Sequence, residues 1–283
     1  HMAGRTSVKN KAGYSAAFNR GRESVETLAD KVATTVPSST GANLYGWLGA
    51  IPGLKKWIGE REIQKVSDNA YSIANEKFEL TVGVPRDDIE DDNYGVYTPM
   101  MEAMGESTAL HKDERVSEAV KNGFTEKCYD GQPFFSANHQ VGSITYSNKG
   151  DAKLDAESFQ AARQSIMSLK NEQGQPLNIV PNVLLVPPAL EKEARMILEA
   201  ELINGTSNIN KGLAEVVVWS QLADKPTQWY LLCTKRSLKP FIFQERRKAK
   251  FTAMTRETDE NVFMRSEYLY GVDARDGVGY GFW

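Results

Sequence analysis

The sequence predicts an α+β protein, and three observations carry that prediction. Residues 154–235 alternate short continuous apolar runs with amphipathic helical spacing. Residues 239–283 alternate apolar and polar side chains over long stretches, as antiparallel hairpins do. Residues 87–123 carry helical spacing ahead of both. The chain has 283 residues, enough for one large domain or two small ones. Apolar residues make up 41% and charged residues 25%, which supports a packed core. The net charge of −3, from 34 basic and 37 acidic residues, lacks the positive excess of a dedicated nucleic-acid binder. No apolar run approaches the ~20 residues that span a bilayer. The start, HMAGRTSVKNKAG, has no apolar stretch of the signal-peptide kind, and its His-Met reads as a cloning scar. Cys128 and Cys233 form no CxxC and read as free thiols of a reducing compartment.

In chain order, residues 1–53 show weak periodicity. A helix fits KAGYSAAFNRGRESVETLADKVATTV, with Tyr14, Phe18, Val25 and Leu28 as apolar points. VPSSTGANLYGWLGAIPG is irregular chain, yet it holds Leu44, Tyr45, Trp47, Leu48 and Ile51. Such residues must pack either on their own domain or on a neighbouring subunit. Residues 56–86 read as two strands joined near Ser67-Asp68-Asn69, with too little apolar surface for a core of their own. Ile73 falls on one face of the second strand, and Phe78, Leu80 and Val82 on the other. Charges of both signs, among them Glu60, Arg61, Lys65 and Lys77, interrupt the ribbon. DDIEDDN then suits a helix start, and Gly123 a helix end. Pro99 and Gly105 predict a break between these points. Met100, Met101 and Met104 read as core filler.

Within 154–235, LDAESFQAARQSIMSLKN puts Phe159, Ala162, Ile166 and Leu169 on one helical stripe. NVLLVP is a buried strand, PALEKEARMILEAELI a helix opened by proline, and AEVVVWSQL and QWYLLCT two further strands. In the last stretch Val262, Met264, Tyr268, Tyr270 and Val272 share one face of a strand. The chain stops at Trp283 inside an apolar pattern, either at a strand end or in a chain shorter than its gene product.

Chemistry is sparse. Cys128, Asp130 and His139 lie close in sequence, but a nucleophilic triad is assembled in space, and Cys128 reads as a small buried residue beside a turn. His111 and His139 are isolated, and no Cys/His spacing matches a zinc site. DDIEDD lacks the alternating ligands and turn glycine of an EF-hand loop. GVGYGFW lacks the lysine and helix of a phosphate loop. Arg246, Arg247, Lys248 and Lys250 form a basic cluster, read as a strand-end turn or an inter-subunit ion pair in preference to a DNA-facing patch. No cofactor is expected, and no enzyme.

Three passages carry a family resemblance: ATTVPSSTGANLYGWLGAIPGLKKWIGER, AYSIANEKFELTVGVPRDDIEDDNYGVYTPMMEAMG and LKPFIFQERRKAKFTAMTRETDENVFMRSEYLYGVDARDGVGYGFW. CYDGQPFF and LLVPPALEKEARMIL fit the same pattern. From about Thr34 onward the chain resembles the Mu-like phage major head subunit, the T gene product family, of the Hong Kong 97-type capsid fold. The resemblance implies an N-terminal arm at 1–53, an extended loop at 54–86, a spine helix region at 87–130, an axial α/β domain at 131–238 and peripheral β-hairpins at 239–283. It implies a shell subunit that assembles with itself into pentamers and hexamers around double-stranded DNA contacted non-specifically. Portal, scaffold and decoration proteins are the further partners, with no membrane. The place is the virion, assembled in the bacterial host cytoplasm. A cargo-holding protein compartment of the same fold is the alternative. Trp47, Leu48, Glu60, Arg61, Ile63, Lys65, Phe78 and Leu80 are the candidate inter-subunit contacts.

Overall fold

The computed structural model describes residues 2–48, 54, 56–63, 70–90 and 94–283. The chain opens with α1 (Met2–Ser24), the short turn α2 (Ala29–Val32) and strands β1 (Ala33–Pro37) and β2 (Ala42–Leu44). Strands β3 (Ser72–Ala74) and β4 (Glu76–Pro85) lead into α3 (Arg86–Glu90) and the long α4 (Tyr94–Asn122). A small hairpin follows, β5 (His139–Val141) with β6 (Ile144–Tyr146). The middle of the chain holds α5 (Ala156–Met167), β7 (Val183–Val186), α6 (Glu191–Leu198), the hairpin of β8 (Leu202–Ile203) and β9 (Thr206–Ser207), then β10 (Glu215–Val218) and β11 (Tyr230–Leu232). Strand β12 (Phe241–Met254), α7 (Glu260–Arg265) and β13 (Glu267–Tyr280) complete it.

Two glycines set the closest helix contact. Tyr14, Ala17 and Phe18 are buried on one face of α1 and pack with Met101 and Met104 of α4. A Cβ on Gly21 would lie 1.9 Å from the Glu102 carbonyl oxygen, and one on Gly105 would lie 2.0 Å from that of Phe18. Only residues without a Cβ let the two backbones approach so closely. Gly105 therefore marks a crossing and not a break. The helix runs unbroken through Pro99 as well, where the ring removes a single ladder bond near the N-terminal end.

The largest sheet has the order β1–β12–β13–β4, with β1 parallel to β12 and the other pairs antiparallel. Tyr268, Tyr270, Val272 and Ala274 are buried in strict alternation along β13. With Val84, Ile89 and Val262, the first three join α1 and α4 in one core. This sheet corrects the ribbon expected across 56–86. β4 pairs with β13 from Glu76↔Asp276 to Pro85↔Glu267, and β3 pairs with β2. Residues 56–63 form no strand, and the expected turn at 67–69 lies outside the described residues. The reason is physical: an isolated ribbon is marginal, whereas β13 offers β4 a full ladder and apolar cover for Val82 and Val84.

The alternation read through Val262 and Met264 is also corrected. These residues lie in α7, where Val262 is buried and Phe263 and Met264 are exposed, and Ser266 closes the helix in the left-handed region at φ 50°. The α/β stretch follows its sequence pattern except after α6, where the helix expected through Ile203 ends at Leu198 and Leu202–Ile203 turn back as a strand against Thr206–Ser207. A three-stranded sheet of order β10–β7–β11 has a fully buried central strand, and α5 begins with a capping box between Asp155 and Ser158. Phe159 packs there with Leu184, Val186, Ile197 and Leu198.

One buried ionic network ties α4 to the large sheet. Asp276 of β13 is 1% exposed. Its carboxylate accepts from Arg115 Nε at 2.9 Å and contacts His111 Nε2 at 2.7 Å, while Arg115 Nη2 donates to the Asp276 carbonyl at 3.1 Å. The Arg115 guanidinium lies 4.5 Å from the Phe78 ring centroid, and the His111 ring centroid is 4.6 Å from it.

Candidate assembly surface

The chain is firmly held on both sides of the segment between Leu48 and Tyr71. The Tyr45 amide donates to the Tyr71 carbonyl at 2.8 Å, beside the β2–β3 ladder. Tyr45, Leu48 and Ile73 are buried against Ile242 of β12. Gln244, with no exposed surface, locks the two sides together. Its carbonyl oxygen accepts from the Tyr45 hydroxyl at 2.9 Å, and its amide donates to the Ile73 carbonyl and the Asn75 side chain, both at 2.8 Å. The Tyr71 hydroxyl accepts from the Tyr280 amide at 2.8 Å, and burial raises its pKa.

Beyond this base the apolar residues are uncovered. Leu54 is 100% exposed, Trp57 67%, Ile58 78% and Ile63 92%. Water contact over that much apolar surface, concentrated in one short segment, is unfavourable unless a partner removes it. Glu60 and Arg61 are exposed beside it, and the Arg61 guanidinium sits 4.4 Å from the Trp57 ring centroid.

The remaining candidates divide. Leu48 is buried within its own subunit, and Trp47 is half-buried with its ring edge-on to Phe282 at 6.0 Å. The reading in which this irregular chain lies on its own domain therefore holds for Leu48. Phe78 is half-buried against His111 and Arg115, so its ring belongs to the subunit's own packing. Leu80 is 37% exposed on β4, an outer strand of the sheet. Lys65 lies outside the described residues. Arg246, Arg247, Lys248 and Lys250 are exposed in the middle of β12, where the pairing with β13 shifts register twice, and not at a strand-end turn. Arg247 forms an ion pair with Asp273 at 2.8 Å in the same subunit. Arg246, Lys248 and Lys250 have no ion pair among the described residues.

The fold brings Cys128, Asp130 and His139 together, which sequence spacing did not reveal. The Cys128 thiol donates to one Asp130 oxygen at 3.1 Å, and His139 Nδ1 lies 2.5 Å from the other. Burial pushes the thiol up to about 12, so at neutral pH it is protonated and a poor nucleophile. Burial alone would raise the Asp130 carboxyl; hydrogen bonds from His139, Cys128 and the Gln132 amide outweigh it and hold the group below its ordinary value. The carboxylate stands between thiol and imidazole, whereas a catalytic triad needs the imidazole beside the thiol.

Comparison with known proteins places this geometry. Solved structures with the same fold include the procapsid of bacteriophage JBD30, with TM-score 0.59 and 36% identity over 96% of this chain and 71% of that one. A virus-like particle from Pyrococcus furiosus, with TM-score 0.55 and 9% identity over 95% of this chain and 94% of that one, shares the fold alone. The class is thus a capsid subunit of the Hong Kong 97 type. The family model for the Mu-like prophage major head subunit gpT matches residues 9–153, 143–222 and 219–283. The major capsid protein of Escherichia phage Mu is 38% identical over 94% of this chain and 67% of its own length. The FluMu major head subunit of Haemophilus influenzae is 34% identical over 96% and 68%. The chain belongs to the Mu-like major head subunit family. It is a non-enzymatic major capsid protein that self-assembles into the shell of the virion. The compartment alternative has only the fold-level likeness to the Pyrococcus particle in its favour.

Proposed function

We propose that residues 54–63 clamp an adjacent copy of the chain, and that copies joined in this way form the pentamers and hexamers of the shell. The observation that carries this reading is the exposure of Leu54, Trp57, Ile58 and Ile63 on a segment held at its base by Gln244. Leu80 extends the same contact from β4, and Trp47 contributes its exposed edge. Glu60, Arg61 and Lys65 set register across the boundary, since charges of both signs reward one alignment and penalise others. Arg246, Lys248 and Lys250 contact packaged double-stranded DNA through its phosphates, without sequence preference. Portal, scaffold and decoration proteins are the remaining partners; the JBD30 capsid is decorated with minor capsid protein trimers.

The test is a triple variant, Trp57→Ser, Ile58→Ser and Ile63→Ser, examined by circular dichroism, light scattering and electron microscopy. These side chains are uncovered in the subunit, so folding stability should stay within about 0.5 kcal/mol of the parent. Closed shells should be absent. Normal closed particles from the variant would overturn the clamp.

A further inference from the structure

We propose that Cys128, Asp130 and His139 form a binding site for a divalent transition metal, with Zn²⁺ as the ion they fit best. The sequence argued against zinc because no Cys/His spacing matched a known site. Folding removes that objection. The chain from Lys127 to His139 doubles back, with a bridge between Lys127 and Pro133 and the Phe134 amide donating to the Glu126 carbonyl, and sets His139 against the turn that carries Cys128 and Asp130. One donor atom from each residue lies within 4.8 Å of the other two. Sulfur, imidazole nitrogen and carboxylate oxygen together are a zinc donor set, and they disfavour the oxygen-seeking calcium and magnesium.

The surroundings are built as a ligand shell is built. His139 Nε2 lies 2.9 Å from the Phe134 carbonyl oxygen, an acceptor. That contact fixes the ring with Nδ1 turned toward Asp130. A metal-bound histidine characteristically gives its other ring N–H to a carbonyl or carboxylate, which orients the ligand. Trp283 stacks on the His139 ring at 4.1 Å and 10°, holding its plane. The turn is closed by the Cys128 amide donating to the Gln132 carbonyl at 2.9 Å, with Gly131 at φ +81°. A polar cleft lined by Asp130, Gln132, Asn138, Gln140 and Thr145 opens beside the cluster. It supplies the route in, and a water molecule as fourth ligand.

Without metal, the Cys128 thiol donates to one Asp130 oxygen and His139 Nδ1 lies against the other. On binding, the thiol proton and any proton on Nδ1 pass to solvent, and thiolate, imidazole nitrogen and carboxylate turn to the ion. His139 Nε2 keeps its contact with the Phe134 carbonyl oxygen. The cluster is thus satisfied in both states, which makes uptake reversible and keeps the metal-free chain folded.

The experiment uses the full chain, stripped with chelator and kept reduced, with Zn²⁺ alone and Co²⁺ alone as probes. The expected result is one Zn²⁺ per chain after dialysis, and a Co²⁺ spectrum with a thiolate-to-metal charge-transfer band. Cys128→Ser, which keeps a donor to Asp130, should abolish the band and weaken Zn²⁺ binding at least about a hundredfold, beyond what loss of an outer-shell contact causes. Cys233→Ser should leave both unchanged. Circular dichroism of Cys128→Ser checks that the variant is folded. Substoichiometric Zn²⁺, or a Co²⁺ spectrum unaffected by Cys128→Ser, would overturn the site and leave the cluster as an internal hydrogen-bonded staple.

Discussion

The face of the large sheet beneath α1 and α4 and the segment between Leu48 and Tyr71 use similar side chains to opposite ends. Under the helices, Tyr14, Phe18, Met101, Tyr268 and Tyr270 find complete cover within one chain. In the excursion, Leu54, Trp57, Ile58 and Ile63 find almost none. The first region is finished when the subunit folds. The second is left open by its own chain and, on the reading proposed above, is finished by a second subunit. Apolar content therefore does not distinguish core from interface here; closure by the same chain does.

Variants can break or sharpen this contrast. Asp276→Ala should have the largest effect on folding, because it removes the buried carboxylate shared by Arg115 and His111 and leaves Arg115 with the Asp276 carbonyl and Glu76 alone. Breaking a buried ion pair costs about 3–5 kcal/mol, and the partial exposure of Arg115 favours the lower end. Chemical denaturation of the unassembled subunit measures it. If stability held while assembly failed, the network would belong to the interface and the contrast would collapse. Gly105→Ala comes next. Its methyl would drive into the Phe18 carbonyl and push α1 away, an overpacking cost of about 1–3 kcal/mol, read from the same denaturation curve. A neutral result would mean that α1 leaves α4 in the free subunit. Arg247→Ala should change folding least, by about 0–1 kcal/mol, since its pair with Asp273 is exposed on both sides. A larger loss would show that the double register shift in β12 depends on this pair.

Much of the fold was legible in the residues, and what was missed follows a rule. Most of the stretch from Leu154 to Leu232 read correctly because its elements carry their own period and pack on near neighbours in sequence, but the β8–β9 hairpin was read as the end of a helix. β4 was assigned to the wrong partner because its ladder runs to β13 at the far end of the chain, and pattern alone does not name a strand's partner. α7 was missed because Val262 and Met264 happen to continue the alternation of Tyr268 and Tyr270. Gly105 was read as a breaker because its use, contact with another helix, is invisible along one helix. Of the residues exposed on 54–63, Ile63, Glu60 and Arg61 were singled out from composition. Leu54, Trp57 and Ile58 were not singled out, although their bulk beside charged neighbours was the available signal. Phe78 was misplaced because its companions His111 and Arg115 come from another element. The Cys128 cluster was dismissed on spacing, which is blind to a chain that doubles back.

The Gln244 amide has a mechanical consequence. It grips both strands at the foot of the excursion and sits within β12, the strand held between β1 and β13. A load that reaches Tyr45 or Ile73 is therefore delivered across the ladders of the large sheet. Hydrogen bonds loaded together in shear yield less readily than a single bond peeled at a loop. A pull on either residue therefore moves the sheet as one plate.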